Sequence, residues 1–311
     1  MHAAIRAKLR ERGMPEDLLY LSMIESGFNT NAKSRVSAVG LWQFMAPTAR
    51  DYGLRVDSYV DERRDPERST DAALRYLSDL HKQFGAWYLA AAAYNTGQGR
   101  VERVMRQVTG REKGQDTDFW RIRHRLPRET REYVPQMVAA AVVAKEPHKH
   151  GLGSVERWLP LRVDSVQVPG GVALKTVASS VGSSESELAK LNPHLVRKMT
   201  PPGKKEFMVR VPRGRADRFA AEFERVNREA EAQQAVRLAE VRATQAKRAQ
   251  ATRVARAKVA SRSRTHTVRR GESLWTLARR NDLTVAQLRR ANGMRGSSLR
   301  PGQKLTIPRA R

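Results

Sequence analysis

The chain has 311 residues, with 59 Lys and Arg against 32 Asp and Glu and a formal charge of +27 at pH 7. That length allows about two domains plus connecting sequence, and that charge creates a long-range field favouring polyanions such as nucleic acid, anionic membrane or acidic wall polymer. The absence of cysteine excludes disulfides, thiolate metal ligands, a cysteine nucleophile and a lipid-modified cysteine within this sequence.

The opening stretch MHAAIRAKLRERGMPEDLL lacks the continuous apolar core of a signal peptide, and no apolar run is long enough to span a bilayer. The start is abrupt, with helical sequence already feeding into Met14, so upstream material and any export signal are expected to lie outside this chain. From about Met14 to Pro147 the pattern is helical, with short Gly, Pro and Asn loops and no convincing alternating strand. Pro15, Glu16 and Asp17 suit the first turn of a helix running through Leu18, Leu21 and Ile24. Thr70 is expected to cap a helix whose apolar face is Ala73, Leu74, Leu77, Leu80 and Phe84 and which Gly85 stops. Trp87 to Tyr94 reads as an apolar, alanine-rich helix broken at Asn95-Thr-Gly-Gln-Gly. Glu129 to Lys145 is another, with Pro135 expected to kink it or mark its first turn.

After Pro160 the texture changes, as short β-branched runs (Val166 and Val168, later Val209 and Val211) bracket short helical stretches. An internal repeat emerges. Val168, Leu174, Thr176, Ala178, Leu188 and Asn192 recur one hundred positions later as Val268, Leu274, Thr276, Ala278, Leu288 and Asn292. Capping boxes are expected in both copies, Ser184 with Glu187 and Thr284 with Gln287. Each copy closes with Pro-Gly (Pro202-Gly203, Pro301-Gly302) and a short strand, so the implied unit is strand, helix, helix, strand. Between the copies, Arg215 to Arg264 is rich in Ala, Arg, Glu and Gln without Gly or Pro, which permits a long solvated helix or a disordered basic tether; a partly helical linker is expected.

Glu25 stands out chemically. It lies four and seven residues beyond Leu21 and Leu18, so its carboxylate projects from an apolar helix face. A carboxyl group held there is biased toward its protonated form, the state a general acid needs. Spacing alone leaves open an acid that snorkels out at the helix end beside Gly27. The neighbouring Ser26, Asn29, Asn31 and Ser34, the run Gly40-Leu-Trp-Gln-Phe-Met45 and the later Ala93-Tyr-Asn95 supply neutral hydrogen-bonding groups and aromatic faces, which suit a sugar better than a phosphate.

Glu25-Ser26, Gly40-Leu41-Trp42-Gln43, Ala93-Tyr94-Asn95 and Glu129-Thr130-Arg131-Glu132-Tyr133-Val134 together resemble the four ordered motifs of the soluble lytic transglycosylase family, and the overall layout is similar to its membrane-bound lytic murein transglycosylase D branch. The resemblance covers less than half the chain. It implies an all-α lysozyme-like domain over 1–147 within an α+β multidomain chain. It also implies non-hydrolytic cleavage between N-acetylmuramic acid and N-acetylglucosamine, with Glu25 first acid and then base, and no metal or cofactor. Carried onto these motifs, Ser34 and Gln43 would orient the acetamido group and the acid, Met45 would shape the pocket, Tyr94 and Asn95 would line the cleft and Tyr133 would hydrogen-bond near Glu25. Met45 and Tyr133 can equally be core residues. Trp42 departs from the family's usual apolar residue and is expected to add a stacking surface. Glycosidases usually employ two carboxylates, and none lies between Glu25 and Asp51, which fits assistance by the substrate's own acetamido group.

The second repeat copy (265–309) resembles a LysM domain, which implies binding to N-acetylglucosamine-containing polymers through two loops bearing Gly271, Glu272, Ser273, Leu274, Leu299, Pro301 and Gly302. The first copy (160–213) departs from it with Ala173 for Ser273 and Lys175 for Trp275, and reads as a degenerate βααβ unit that packs against its neighbour. The expected partners are peptidoglycan glycan strands, with the basic segment 214–264 attracted to anionic wall or membrane. Nucleic acid is disfavoured by the lack of interleaved aromatics, and a monomer is expected. The expected location is the periplasm or cell envelope, with association to the outer membrane. A goose-type muramidase acting by hydrolysis and a non-catalytic peptidoglycan-binding protein are the alternatives.

Overall fold

Short amphipathic stretches punctuated by glycine and proline become eight α-helices over the described residues up to 145 of the computed structural model. Residues 2–153, 162–203, 205–261 and 263–308 are described, without the side chains of 256–261; Pro160, where the sequence texture changes, lies outside them. Contacts divide the chain into two compact units, 1–229 and 230–311.

The first unit opens with α1 (His2–Glu11), whose buried Ile5 and Leu9 lie one turn apart. Helix formation thus begins before Met14, in the helical sequence that feeds into that residue. A 3-10 turn, Glu16–Leu18, leads into α2 (Leu19–Ser26), which stops at Gly27 in the left-handed region. After a long loop come α3 (Ala46–Asp51), α4 (Pro66–Phe84), α5 (Trp87–Thr96), α6 (Gln98–Thr109), α7 (Asp116–Ile122) and α8 (Arg128–Lys145). Helix α5 is the hub, packed against α4, α6, α7 and α8. Its Leu89 to Ala93 run is wholly buried, because alanine lets surrounding helices approach closely on every side.

Two sequence expectations change here. Helix α4 begins four residues before Thr70 and is capped by Asp65, whose carboxylate accepts the backbone N–H groups of Glu67 and Arg68. Thr70 instead sits inside the core, where its hydroxyl donates to Pro66 O and accepts from the Trp42 indole at 3.0 Å. That bond accounts for Trp42, which is 0% exposed and therefore offers no stacking surface. Pro135 lies within α8. Having no N–H, it leaves the carbonyl of Arg131 without its helical donor, and the Arg123 side chain supplies one at 2.7 Å.

The same unit contains the first βααβ copy: β1 (Val163–Val168), α9 (Leu174–Val181), α10 (Glu185–Leu191) and β2 (Phe207–Pro212), with β1 and β2 antiparallel and Val166 opposite Val209. Its core includes Val60 from the helical region and Phe219 and Phe223 from the start of α11 (Ala216–Ser261). Further bonds tie it down. Asp61 N donates to His194 O at 2.9 Å and Val196 N to Tyr59 O at 3.0 Å. Arg210 forks onto the Asp65 carboxylate at 2.7 and 3.1 Å. Burial alone would raise the pKa of Asp65, but the Arg210 fork and backbone donors outweigh it and hold the carboxyl below the usual range.

Helix α11 is continuous over 46 residues, where the sequence suggests a partly helical tether. Strong helix formers and i, i+3/i+4 pairs such as Arg225 with Glu222 and Glu229 account for it.

The second unit holds β3 (Ser263–Thr267), α12 (Leu274–Arg280), α13 (Val285–Ala291) and β4 (Lys304–Pro308), with β3 and β4 antiparallel around Val268, Leu274, Leu277, Leu288, Leu305 and Ile307. The repeat shows in detail at one residue. Asn192 donates to Leu188 O and Arg210 O and accepts from Arg210 N, while Asn292 does the same with Leu288 and Thr306. The caps differ: Thr284 and Gln287 form a full capping box, whereas Glu187 bonds the Ser183 hydroxyl and leaves Ser184 as a one-way cap.

Candidate active site

Glu25 sits in the last turn of α2, and the loop between α2 and α3 is folded back on that helix by short-range bonds. Ser22 and Ser26, one turn apart, both donate to Leu41 O at 3.0 and 2.9 Å. Gly40 has φ +86°, and a Cβ there would lie 1.8 Å from Arg63 O, so only glycine fits. From the other side the Arg63 guanidinium, paired with Asp61 at 2.8 Å, donates to Ser37 O and Phe44 O. Tyr94, from α5, donates to Trp42 O at 2.7 Å.

Tyr133, from α8, donates to Glu25 Oε1 at 2.5 Å. Burial, the largest influence, lifts the Glu25 pKa from 4.5 to about 7; the Tyr133 hydrogen bond pulls it down and the nearby charge of Glu129 pushes it up. Burial and then the Glu25 charge raise the phenol pKa values of both Tyr133 and Tyr94 well above 10, so both remain hydroxyl donors near neutral pH. Glu25 is therefore a shielded carboxyl that carries a proton for a large fraction of the time at pH 7, with a fixed phenol aimed at one of its oxygens.

Not every residue singled out from the sequence reaches the acid. Tyr133 bonds it, and Tyr94 lies near enough to feel its charge, backed by Tyr76 and Phe44 with ring centroids 5.2 and 6.2 Å away. Asn95 sits one step out, accepting from Thr130 and donating to Glu129. Gln43, at φ +46°, turns its amide N–H onto Gly40 O and Ala32 O. Ser34 accepts from Ala38 N. Both therefore shape the loop, and among the described hydrogen bonds neither touches Glu25. Met45 is 43% exposed just ahead of α3.

Ser22 and Arg63, and within the fourth motif Glu129 and Thr130, contribute without an individual role expected of them. The Ser22/Ser26 spacing was a readable signal; the Arg63 support is long-range and had none. Among the described residues, no group of three or more His, Asp or Glu could hold a metal ion, and no helix is long and apolar enough to cross a membrane.

In the second unit, Gly271 and Gly302 take positive φ at exposed turns and Ser273 caps α12. Glu272 spends its carboxylate within the module, on His266, Arg269 N and Arg280. Leu274 is core, Leu299 packs partly against it, and Pro301 is exposed. The exposed aromatic ring there is Trp275, 59% exposed with the Arg279 guanidinium over it.

Fold and site define a class: a helical domain in which a half-buried acid is held by a phenol, followed by two βααβ modules. The transglycosylase SLT domain model matches residues 2–117, the LysM-like domain of lytic transglycosylase MltD matches 162–227, and the LysM domain matches 266–308. The chain is 34% identical to membrane-bound lytic murein transglycosylase D of Escherichia coli K12 over 304 residues, 97% of this chain and 62% of that protein. It is 33% identical to the soluble lytic murein transglycosylase of the same strain over 121 residues, covering 37% and 18% of the two chains. The structure of an inactive mutant of lytic transglycosylase Slt from Pseudomonas aeruginosa aligns over 50% of this chain and 25% of that one, with 26% identity and a TM-score of 0.38. The chain thus combines a region matched by the SLT domain model with two regions behind it matched by LysM-type models. It spans about 62% of the length of the curated relatives that it matches along most of its length.

Proposed function

We infer that this protein is a peptidoglycan lytic transglycosylase in the cell envelope. The observation that carries the reading is the carboxyl of Glu25, lifted by burial to a pKa of about 7 and held by Tyr133. An acid so poised gives its proton to the glycosidic oxygen between N-acetylmuramic acid and N-acetylglucosamine as the C1–O bond breaks. The resulting carboxylate then takes the proton of the C6 hydroxyl on the same muramic residue, and O6 bonds to C1. The products are a 1,6-anhydro sugar and a free 4-hydroxyl, and Glu25 ends protonated as it began. Tyr133 stabilises the carboxylate midway, since its hydroxyl donates to the charged form more strongly than to the neutral one. Tyr94 and Asn95 line the path, and Met45 offers an apolar edge. The LysM module, with Trp275 exposed, retains the enzyme on its insoluble substrate.

One observation favours hydrolysis as the second reading. Glu129 lies close enough to perturb Glu25 electrostatically, and a second carboxylate is what a water-activating mechanism employs. Mass spectrometry of soluble fragments from purified sacculi separates the two: 1,6-anhydro ends are expected, and reducing ends alone would overturn the transglycosylase reading.

A further inference from the structure

The first βααβ copy carries Ala173 and Lys175 where the second carries Ser273 and Trp275, yet it is fixed firmly to the helical domain, and the seam between them leaves a groove of about 400 Å³. Asn31 and Arg64 form its wall on the helical side; Lys190, Pro193, Val196 and Lys198 line the other. The two walls are held in register by the Asp61 and Val196 backbone bonds and by the Arg210 fork on Asp65, so the groove is preformed. Its chemistry is one-signed: all three charged side chains along it are cations. Lys198 has an acidic partner in Glu185 at 2.9 Å. For Arg64, the nearest acid is Asp61 at 3.9 Å, beyond hydrogen-bond reach, and its buried Nε has no partner while the guanidinium bonds Asn31. Lys190 is exposed. Between the cations lie the apolar surfaces of Pro193 and the exposed Val196.

The groove also adjoins the catalytic loop. Asn31 follows Glu25 by six residues, so their Cα atoms lie within roughly 20 Å, the reach of an extended chain of that length. Gln43 pins Ala32, the next residue. In a strand whose scissile bond lies at Glu25, the muramic residues carry short peptides with free carboxylates and alanyl methyl groups. Cations spaced around an apolar floor suit such a peptide and have nothing to recognise in neutral N-acetylglucosamine.

We propose that this groove binds the anionic peptide stem of the glycan strand being cut, so that the degenerate module is a stem-recognition wall of the active-site domain. The inference rests on the lytic transglycosylase reading for its choice of substrate. The test uses the full chain, with Lys190→Glu and Lys198→Glu combined; both side chains are exposed and remote from the core. On strands with intact stems and strands stripped of them, kcat/KM of the wild type favours the stemmed strand. Reversing two rim charges reduces that preference roughly threefold to tenfold. An unchanged preference overturns the proposal. Binding of a soluble stem-bearing muropeptide to the Glu25→Gln chain, with and without the charge reversals, separates the two claims. Affinity lost on reversal while the wild type releases no anhydro products sustains the groove and defeats the enzymatic reading; affinity unchanged on reversal defeats the groove alone.

Discussion

Replacing Tyr133 by Phe removes one oxygen and leaves the ring in the core position it now fills. The lost bond is the 2.5 Å donation to Glu25 Oε1, which opposes the burial that raises the acid's pKa. A hydrogen bond to a charged acceptor is worth about 1.5–3 kcal/mol, and 1.36 kcal/mol corresponds to one pKa unit. Without it the anion is less stable, so the Glu25 pKa rises by roughly one to two units from its starting value of about 7. Activity that needs a protonated Glu25 falls as pH passes that pKa, and kcat/KM reports it for the free enzyme. The alkaline limb of the pH profile on sacculi, or on a soluble strand, therefore moves up by one to two units in Tyr133→Phe, together with a lower maximal rate. A limb that stays in place or moves down would refute the assignment of Tyr133 as the donor that tunes this acid.

The same carboxyl should mark stability. A group whose folded pKa of about 7 exceeds its unfolded value of 4.5 contributes stability that is complete below pH 4.5 and lost as pH rises through 7, so Glu25→Gln gains on the wild type by up to about 3 kcal/mol by pH 8. Denaturant titrations at pH 5 and 8 test it, and a gap independent of pH would contradict the buried-acid account. Arg210→Met leaves the Asp65 carboxylate buried without its fork and should lower unfolding free energy by about 3–5 kcal/mol. A loss below about 1 kcal/mol, the size of an exposed ion pair, would mean that the seam is not held there. Trp275→Ala should leave the melting temperature nearly unchanged, because the ring is 59% exposed, while weakening pull-down on insoluble peptidoglycan about tenfold, or about 1.4 kcal/mol. Undiminished pull-down would remove Trp275 from the glycan-binding surface.

What could be read in the sequence follows from the range of the forces involved. Helices α4, α5 and α8 are visible because their apolar spacing is local, and the two βααβ copies are visible because the repeat doubles the signal. The apolar placement of Glu25 follows from Leu18 and Leu21 alone. By contrast, Asp65 rather than Thr70 caps α4 because the fork from Arg210, 145 residues away, makes a buried carboxylate tolerable there. Trp42 looks like a binding face until Thr70 is seen to accept its indole N–H. Gln43 and Ser34 are polar residues at the right place in the motifs, yet their hydrogen bonds go to loop backbone, since a tight loop without regular structure must satisfy its own carbonyls and N–H groups. The Glu129 influence on Glu25 depends on α8 crossing α2, a long-range packing fact without a sequence period.

The central claim, that Glu25 holds a proton near neutral pH, can be measured without substrate. Carbon-13 titration of side-chain carboxyls in selectively labelled protein, with Glu25→Gln identifying the resonance, should give a pKa of about 7 for this group. A midpoint near the ordinary 4.5 would show an ionised side chain at physiological pH and contradict the account of the acid.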